Sequence, residues 1–121
     1  IHITNSLIVC ENMKNDALIF LWHNLSSLIR ELTEELVITI DEPGDFRVET
    51  KTGRPFVSVR IQKGYVGLYL LPLYYHPDVL PYSLKKFNSG KSTLRFKDEE
   101  QLQPDKLRTL IENCIAMIEH Y

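Results

Sequence analysis

The spacing of apolar residues changes period twice along this chain, and that restricts the folds open to it. Between Asp16 and Leu36, the residues Leu18, Trp22, Leu25, Ile29, Leu32 and Leu36 fall at steps of four, three, four, three and four, one stripe on one helix face. Asn15 or Asp16 is expected to cap that helix at its start. From Val37 the period drops to two. Val37–Asp41 is a β-branched run, and Phe46–Lys51 and Phe56–Gln62 alternate apolar with polar residues. In the latter, Val57, Val59 and Ile61 are expected to point one way and Phe56, Ser58, Arg60 and Gln62 the other. Tyr65–Leu73 is almost wholly apolar or aromatic and reads as a central strand, weakened near its end by Pro72. Lys91–Lys97 alternates again, with Leu94 and Phe96 inward and Thr93, Arg95 and Lys97 outward. A helical stripe then returns at Leu107, Leu110, Ile111, Cys114, Ile115 and Ile118, in a helix expected to open at Pro104 and run to about His120.

The connections decide how these pieces pair. Glu42-Pro43-Gly44-Asp45, Thr52-Gly53 and Lys63-Gly64 are turns of hairpin length, so neighbouring strands run antiparallel. Short helical pieces are expected between Tyr74 and Phe87, and Asn88-Ser89-Gly90 interrupts the chain. The expected fold is α+β: a five-stranded antiparallel sheet with the N- and C-terminal helices packed on one face, in the order α-β-β-β-β-short helix-β-α. The 121 residues suit one domain, with residues 1–14 as an N-terminal extension. No apolar run reaches the length of a membrane span, and Ile1–Asn5 has no cationic stretch leading into an apolar one, so neither a membrane anchor nor a signal peptide is expected. Cys10 and Cys114 have no metal or redox spacing. They read as free thiols of a reducing, cytoplasmic compartment.

Charge is sorted along the chain. Residues 47–97 hold ten Lys and Arg against two acids, a balance of +8, while the flanks hold four against fourteen, a balance of −10. With helices on one side of the sheet, the outward residues Arg47, Glu49, Lys51, Arg60, Thr93, Arg95 and Lys97 form a largely basic opposite face, with Tyr65 or Tyr69 among them. Five of the six tyrosines lie between Tyr65 and Tyr82. Tyrosine interleaved with Lys and Arg can stack bases while the cations hold phosphates; the plainer reading is strand and core packing.

Other groupings carry less chemistry. Glu31, Glu34 and Glu35 share one helix face and can bind a hard cation weakly, although such runs are usually a solvated face. Asp98-Glu99-Glu100 complements the positive end of the last helix. Gly90-Lys91-Ser92 lacks the upstream glycine of a phosphate loop and leads into a strand, so it reads as a tight turn with a modest anion site beside Arg95. His2, His23, His76 and His120 have no metal spacing, and no nucleophile and base can be paired, so a non-enzymatic protein is expected.

The words Lys51-Thr52-Gly53-Arg54-Pro55, Tyr65-Val66-Gly67-Leu68-Tyr69-Leu70-Leu71-Pro72-Leu73-Tyr74, and Leu84 to Phe96 with its Gly90-Lys91-Ser92 turn, resemble the YdhG-like family of small bacterial domains. The resemblance covers roughly residues 15–121. One branch of that family is described as a frataxin-like intracellular iron chaperone with two helices on an antiparallel sheet. The resemblance therefore implies weak iron binding by oxygen ligands, at the matching positions Glu31, Glu34, Glu35, Asp41, Glu42 and Asp45. Two other expectations stand beside it. The basic face, through Arg60, Tyr69, Lys91, Arg95 and Lys97, is expected to take an anionic ligand or a nucleic acid, or the domain is expected to dock a protein partner.

Overall fold

The structure, a computed structural model, describes residues 5–120, with side chains from 16 to 119. Helix α1 (Asn5–Leu32) leads into strands β1 (Val37–Glu42), β2 (Asp45–Glu49), β3 (Pro55–Gln62) and β4 (Tyr65–Leu70). A five-residue helix α2 (Leu71–Tyr75) and two 3-10 turns follow. Then come β5 (Asn88–Ser89), β6 (Thr93–Phe96), a further 3-10 turn and helix α3 (Pro104–Ala116). The strands form one sheet in the order β1-β2-β3-β4-β6-β5, every pair antiparallel.

The sheet has six strands where the alternation predicts five. The sixth is β5, too short to show a period in sequence. Gly90 at φ +74° turns the chain back, and Asn88 and Ser89 pair with Leu94 and Thr93. Other boundaries move as well. α1 begins at Asn5, so Asn15 and Asp16 lie inside it and neither opens it, and residues 5–14 are helical. Residues 1–4 and the side chain of Cys10 lie outside the described part. β4 ends at Leu70 because Pro72, lacking an N–H, sits in the first turn of α2. α3 stops at Ala116 and a 3-10 turn, Ile118–His120, finishes the segment.

Register settles which side is core. Phe46, Val59, Leu68 and Leu94 lie opposite one another across β2, β3, β4 and β6, and all are buried. Val48, Val57 and Leu70 form the row on one side of them, and Val66 with Phe96 lies on the other. α1 lies across β3 and β4 and packs against α3, so Leu21, Leu25, Ile29, Leu107, Leu110, Ile111 and Cys114 close this core. Each such fully buried side chain contributes about 1.5–3 kcal/mol. Trp22 anchors α1 to the sheet, its indole N–H donating to the Val59 carbonyl at 2.7 Å. Phe56 departs from its expected outward position: it is buried, because the register shifts there, Val57 lying opposite Val48 and Pro55 opposite Glu49, which leaves Phe56 as the extra residue of a bulge. Among the described residues, no helix is long and apolar enough to cross a membrane.

Candidate ligand-binding surface

The side of the sheet away from α1 carries the alternate residues of the same register. One row runs Asp45, Arg60, Gly67, Arg95, and the next runs Arg47, Ser58, Tyr69, Thr93. Gln62 and Tyr65 form a third pair. None of these side chains is packed away like the core rows, although most are only partly exposed. Both Tyr65 and Tyr69 belong to this face, since residues 65, 67 and 69 alternate outward together.

Charge on this face is less one-sided than the sequence implies. Asp45 takes two hydrogen bonds from Arg47, at 2.8 and 3.0 Å, and lies 3.8 Å from the Arg60 guanidinium. This pairing holds the Arg47 guanidinium above its ordinary pKa. Among the described residues, no carboxylate pairs with Arg95, Lys85, Lys91 or Lys97. The net cation therefore moves toward the β6 side of the sheet.

Every tyrosine between residues 65 and 82 has a cation above its ring. Arg95 stands 4.6 Å from the Tyr65 centroid, Lys91 5.0 Å from Tyr74, Lys85 5.8 Å from Tyr82, Arg54 5.9 Å from Tyr75 and Arg60 6.0 Å from Tyr69. Tyr69 interacts further with Gln62 and Tyr65 through its hydroxyl, and burial, the largest influence, raises its pKa above the ordinary phenol value.

The five expected anion-binding residues do not form one site. Arg60, Tyr69 and Arg95 share the sheet face, and Lys97 lies just past the end of β6, its backbone N–H donating to the Gln101 side chain at 2.6 Å. Lys91 sits apart, in the turn between β5 and β6. Leu70 donates its backbone N–H to the Ser92 carbonyl at 2.8 Å, which ties that turn beside the start of α2. There Lys91 joins Tyr74, Lys85 and Asn88 around a pocket of about 520 Å³ floored by Leu73, Pro77 and Leu80. Tyr74, Lys85 and Asn88 join the candidate residues only through the structure; the one signal for the first two in the sequence is the local density of tyrosine and lysine.

The six acids expected to hold iron are spread between separate places. Glu31, Glu34 and Glu35 line a groove of about 510 Å³ at the end of α1, above Leu32, Leu36, Ile115 and Ile118. Glu31 also faces Arg108 at 3.6 Å. Asp41 is held by Arg30 through two hydrogen bonds of 2.7 and 2.9 Å, which keep its carboxyl below the usual range. Asp45 lies on the sheet face with Arg47, and Glu42 pairs across the hairpin with Asp45 in register only. Among the described residues, no three of His, Cys, Asp or Glu come together in a group fit to hold a metal ion. Cys114 is buried and free, and desolvation pushes its thiol up to about 12.

No match to this chain was found among models of known families, curated proteins or solved structures.

Proposed function

We propose that this domain is a non-catalytic binding protein whose open sheet face takes single-stranded nucleic acid. One observation carries the reading: the two tyrosines of this face, Tyr65 and Tyr69, are each paired with an arginine of the same face, Arg95 and Arg60. A single strand offers unstacked bases and a row of phosphates, the two chemistries that tyrosine rings and cations recognise together. Tyr65 and Tyr69 supply the platform, while Arg60, Arg95 and Lys97 supply charge along it. The absence of a carboxylate partner for Arg95 and Lys97 among the described residues leaves both able to meet phosphate.

The test is fluorescence anisotropy with a short labelled single-stranded RNA at increasing salt. The reading predicts that log affinity falls with log salt at about −0.7 per phosphate neutralised. It also predicts that Arg60→Ala/Arg95→Ala weakens binding about tenfold or more. No binding by the wild type at low salt would sink it.

A further inference from the structure

Two grooves of nearly equal size lie at different places on the molecule, and their linings are of opposite sign. The groove at the end of α1 is rimmed by Glu31, Glu34, Glu35 and Glu119 with one lysine, Lys51. The pocket beside α2 contains no acid: Lys85, Lys91, Asn88 and Tyr74 are the residues of its lining with polar side chains. We propose that the second pocket is a discrete site for a mononucleotide, a ligand with one planar ring and one phosphate. This site is separate from the sheet face and does not depend on nucleic-acid binding there.

About 520 Å³ lies within the usual range for a small-ligand site. Its floor is apolar, since Leu73 and Leu80 are core residues. Leu73 and Leu80 are already closed off from water, so the apolar surface a planar ring gains by covering is that of the exposed Tyr74 and Pro77, a gain an inorganic anion does not make. Tyr74 stands half exposed at the wall, with the Lys91 ammonium 5.0 Å from its ring centroid. Ring and cation thus lie as close together as a base and its own phosphate require.

Charge then selects the ligand's sign. Two ammonium groups line the pocket, and neither has a carboxylate partner among the described residues. Neutral ligands leave both unused. The turn holding Lys91 is fixed at both ends, by the Leu70 to Ser92 hydrogen bond and by Asn88 donating its side-chain N–H to the Thr93 carbonyl at 3.1 Å. Such anchoring lowers the ordering cost of binding. With that N–H engaged, the Asn88 side-chain oxygen is left to accept from an N–H on the edge of the base.

The probe is adenosine 5′-monophosphate, followed by amide NMR of the whole chain, with adenosine and inorganic phosphate as separate arms. The expected result is saturable shifts at Tyr74, Asn88, Gly90 and Lys91 with half-saturation below about 1 mM. Adenosine and phosphate alone should bind at least about tenfold more weakly, as should the surface variant Lys85→Ala/Lys91→Ala. Arg60→Ala/Arg95→Ala should bind the mononucleotide like the wild type, whatever it does to RNA. The proposal is overturned by no saturation below that concentration, by equal binding of adenosine, or by an unaffected double-lysine variant. Loss of binding in the double-arginine variant would move the ligand to the sheet face and overturn it equally.

Discussion

The ring of Tyr69 lies on the bare backbone of Gly67: a Cβ at position 67 would stand 2.6 Å from the Tyr69 hydroxyl and 2.7 Å from two of its ring carbons. Gly67 itself sits between Arg60 and Arg95 in the cross-strand row. The missing side chain on β4 is thus what lets the Tyr69 phenol lie over the strand, 6.0 Å from the Arg60 guanidinium, an aromatic cover over a strand glycine. Gly67→Ala must push that ring aside. It should destabilise the fold by no more than about 1 kcal/mol, because the atoms that must move are the outer end of a half-buried side chain, while Gly67→Ala/Tyr69→Ala costs less than the sum of the two single changes. Thermal unfolding of the three variants decides this, and strict additivity would remove the packing account.

The same geometry ties Tyr69 to binding. Tyr69→Leu keeps bulk over Gly67 but removes the stacking face, and should weaken single-stranded RNA by about 1–3 kcal/mol with little change in the salt slope. Arg95→Ala should instead lower the slope. Anisotropy titrations at several salt concentrations separate the two effects.

Trp22 is the one side chain of α1 seen to hydrogen-bond to the sheet backbone among the described residues. Trp22→Phe removes that bond to the Val59 carbonyl and leaves unfilled volume in the core. The expected cost is about 2–4 kcal/mol, read from urea unfolding. A loss below about 0.5 kcal/mol would mean that the indole is not an anchor.

Cys114 supplies a dependence on alkaline pH. Its thiol titrates at about 12 in the folded chain against an ordinary value of 9.0, because burial penalises the thiolate. Between those values the native state holds a proton that the unfolded state has released. Its contribution is therefore fully present below pH 9 and is lost as pH rises toward 12. Urea midpoints should fall over that interval, and less steeply in Cys114→Ala. A thiol reagent at pH 8 should leave Cys114 unmodified until the chain unfolds.

Asp41 gives the acid counterpart. Its folded pKa is depressed below 3.8, chiefly by the hydrogen bonds from Arg30, so the pair stabilises the fold above that pH and stops doing so as the carboxylate protonates. Arg30→Gln should move acid unfolding to higher pH. Arg30 also competes with any cation for Asp41. Fe²⁺ titration should give equally weak binding for the wild type and for a variant with Glu31, Glu34, Glu35, Asp41, Glu42 and Asp45 changed to alanine. Clearly tighter binding by the wild type would establish an iron site in these acids.

Periodicity alone identified much of the architecture. The stripe from Trp22 to Ile29 and that from Leu107 to Cys114 bury as one face each, with Leu18 partly buried at the edge, because a helix repeats every 3.6 residues whatever lies around it. The alternation of Phe46, Val48, Val57, Val59, Leu94 and Phe96 likewise placed each inward. Local rules could not reach β5, where two residues carry no period, nor Phe56, whose outward parity is broken by the bulge in β3.

The candidate sites were legible by residue type and not by arrangement. The sequence dictated that cations and tyrosines crowd residues 47–97, since composition is local. Which cation meets which ring was decided by register across β3, β4 and β6, and by the turn that carries Lys91 to Tyr74 instead of to Arg95. Tertiary structure also placed Arg30 on Asp41, Arg47 on Asp45 and Tyr69 on Gly67. Side-chain charge is written in the chain, but the field at a surface depends on distances that exist only after distant segments pack.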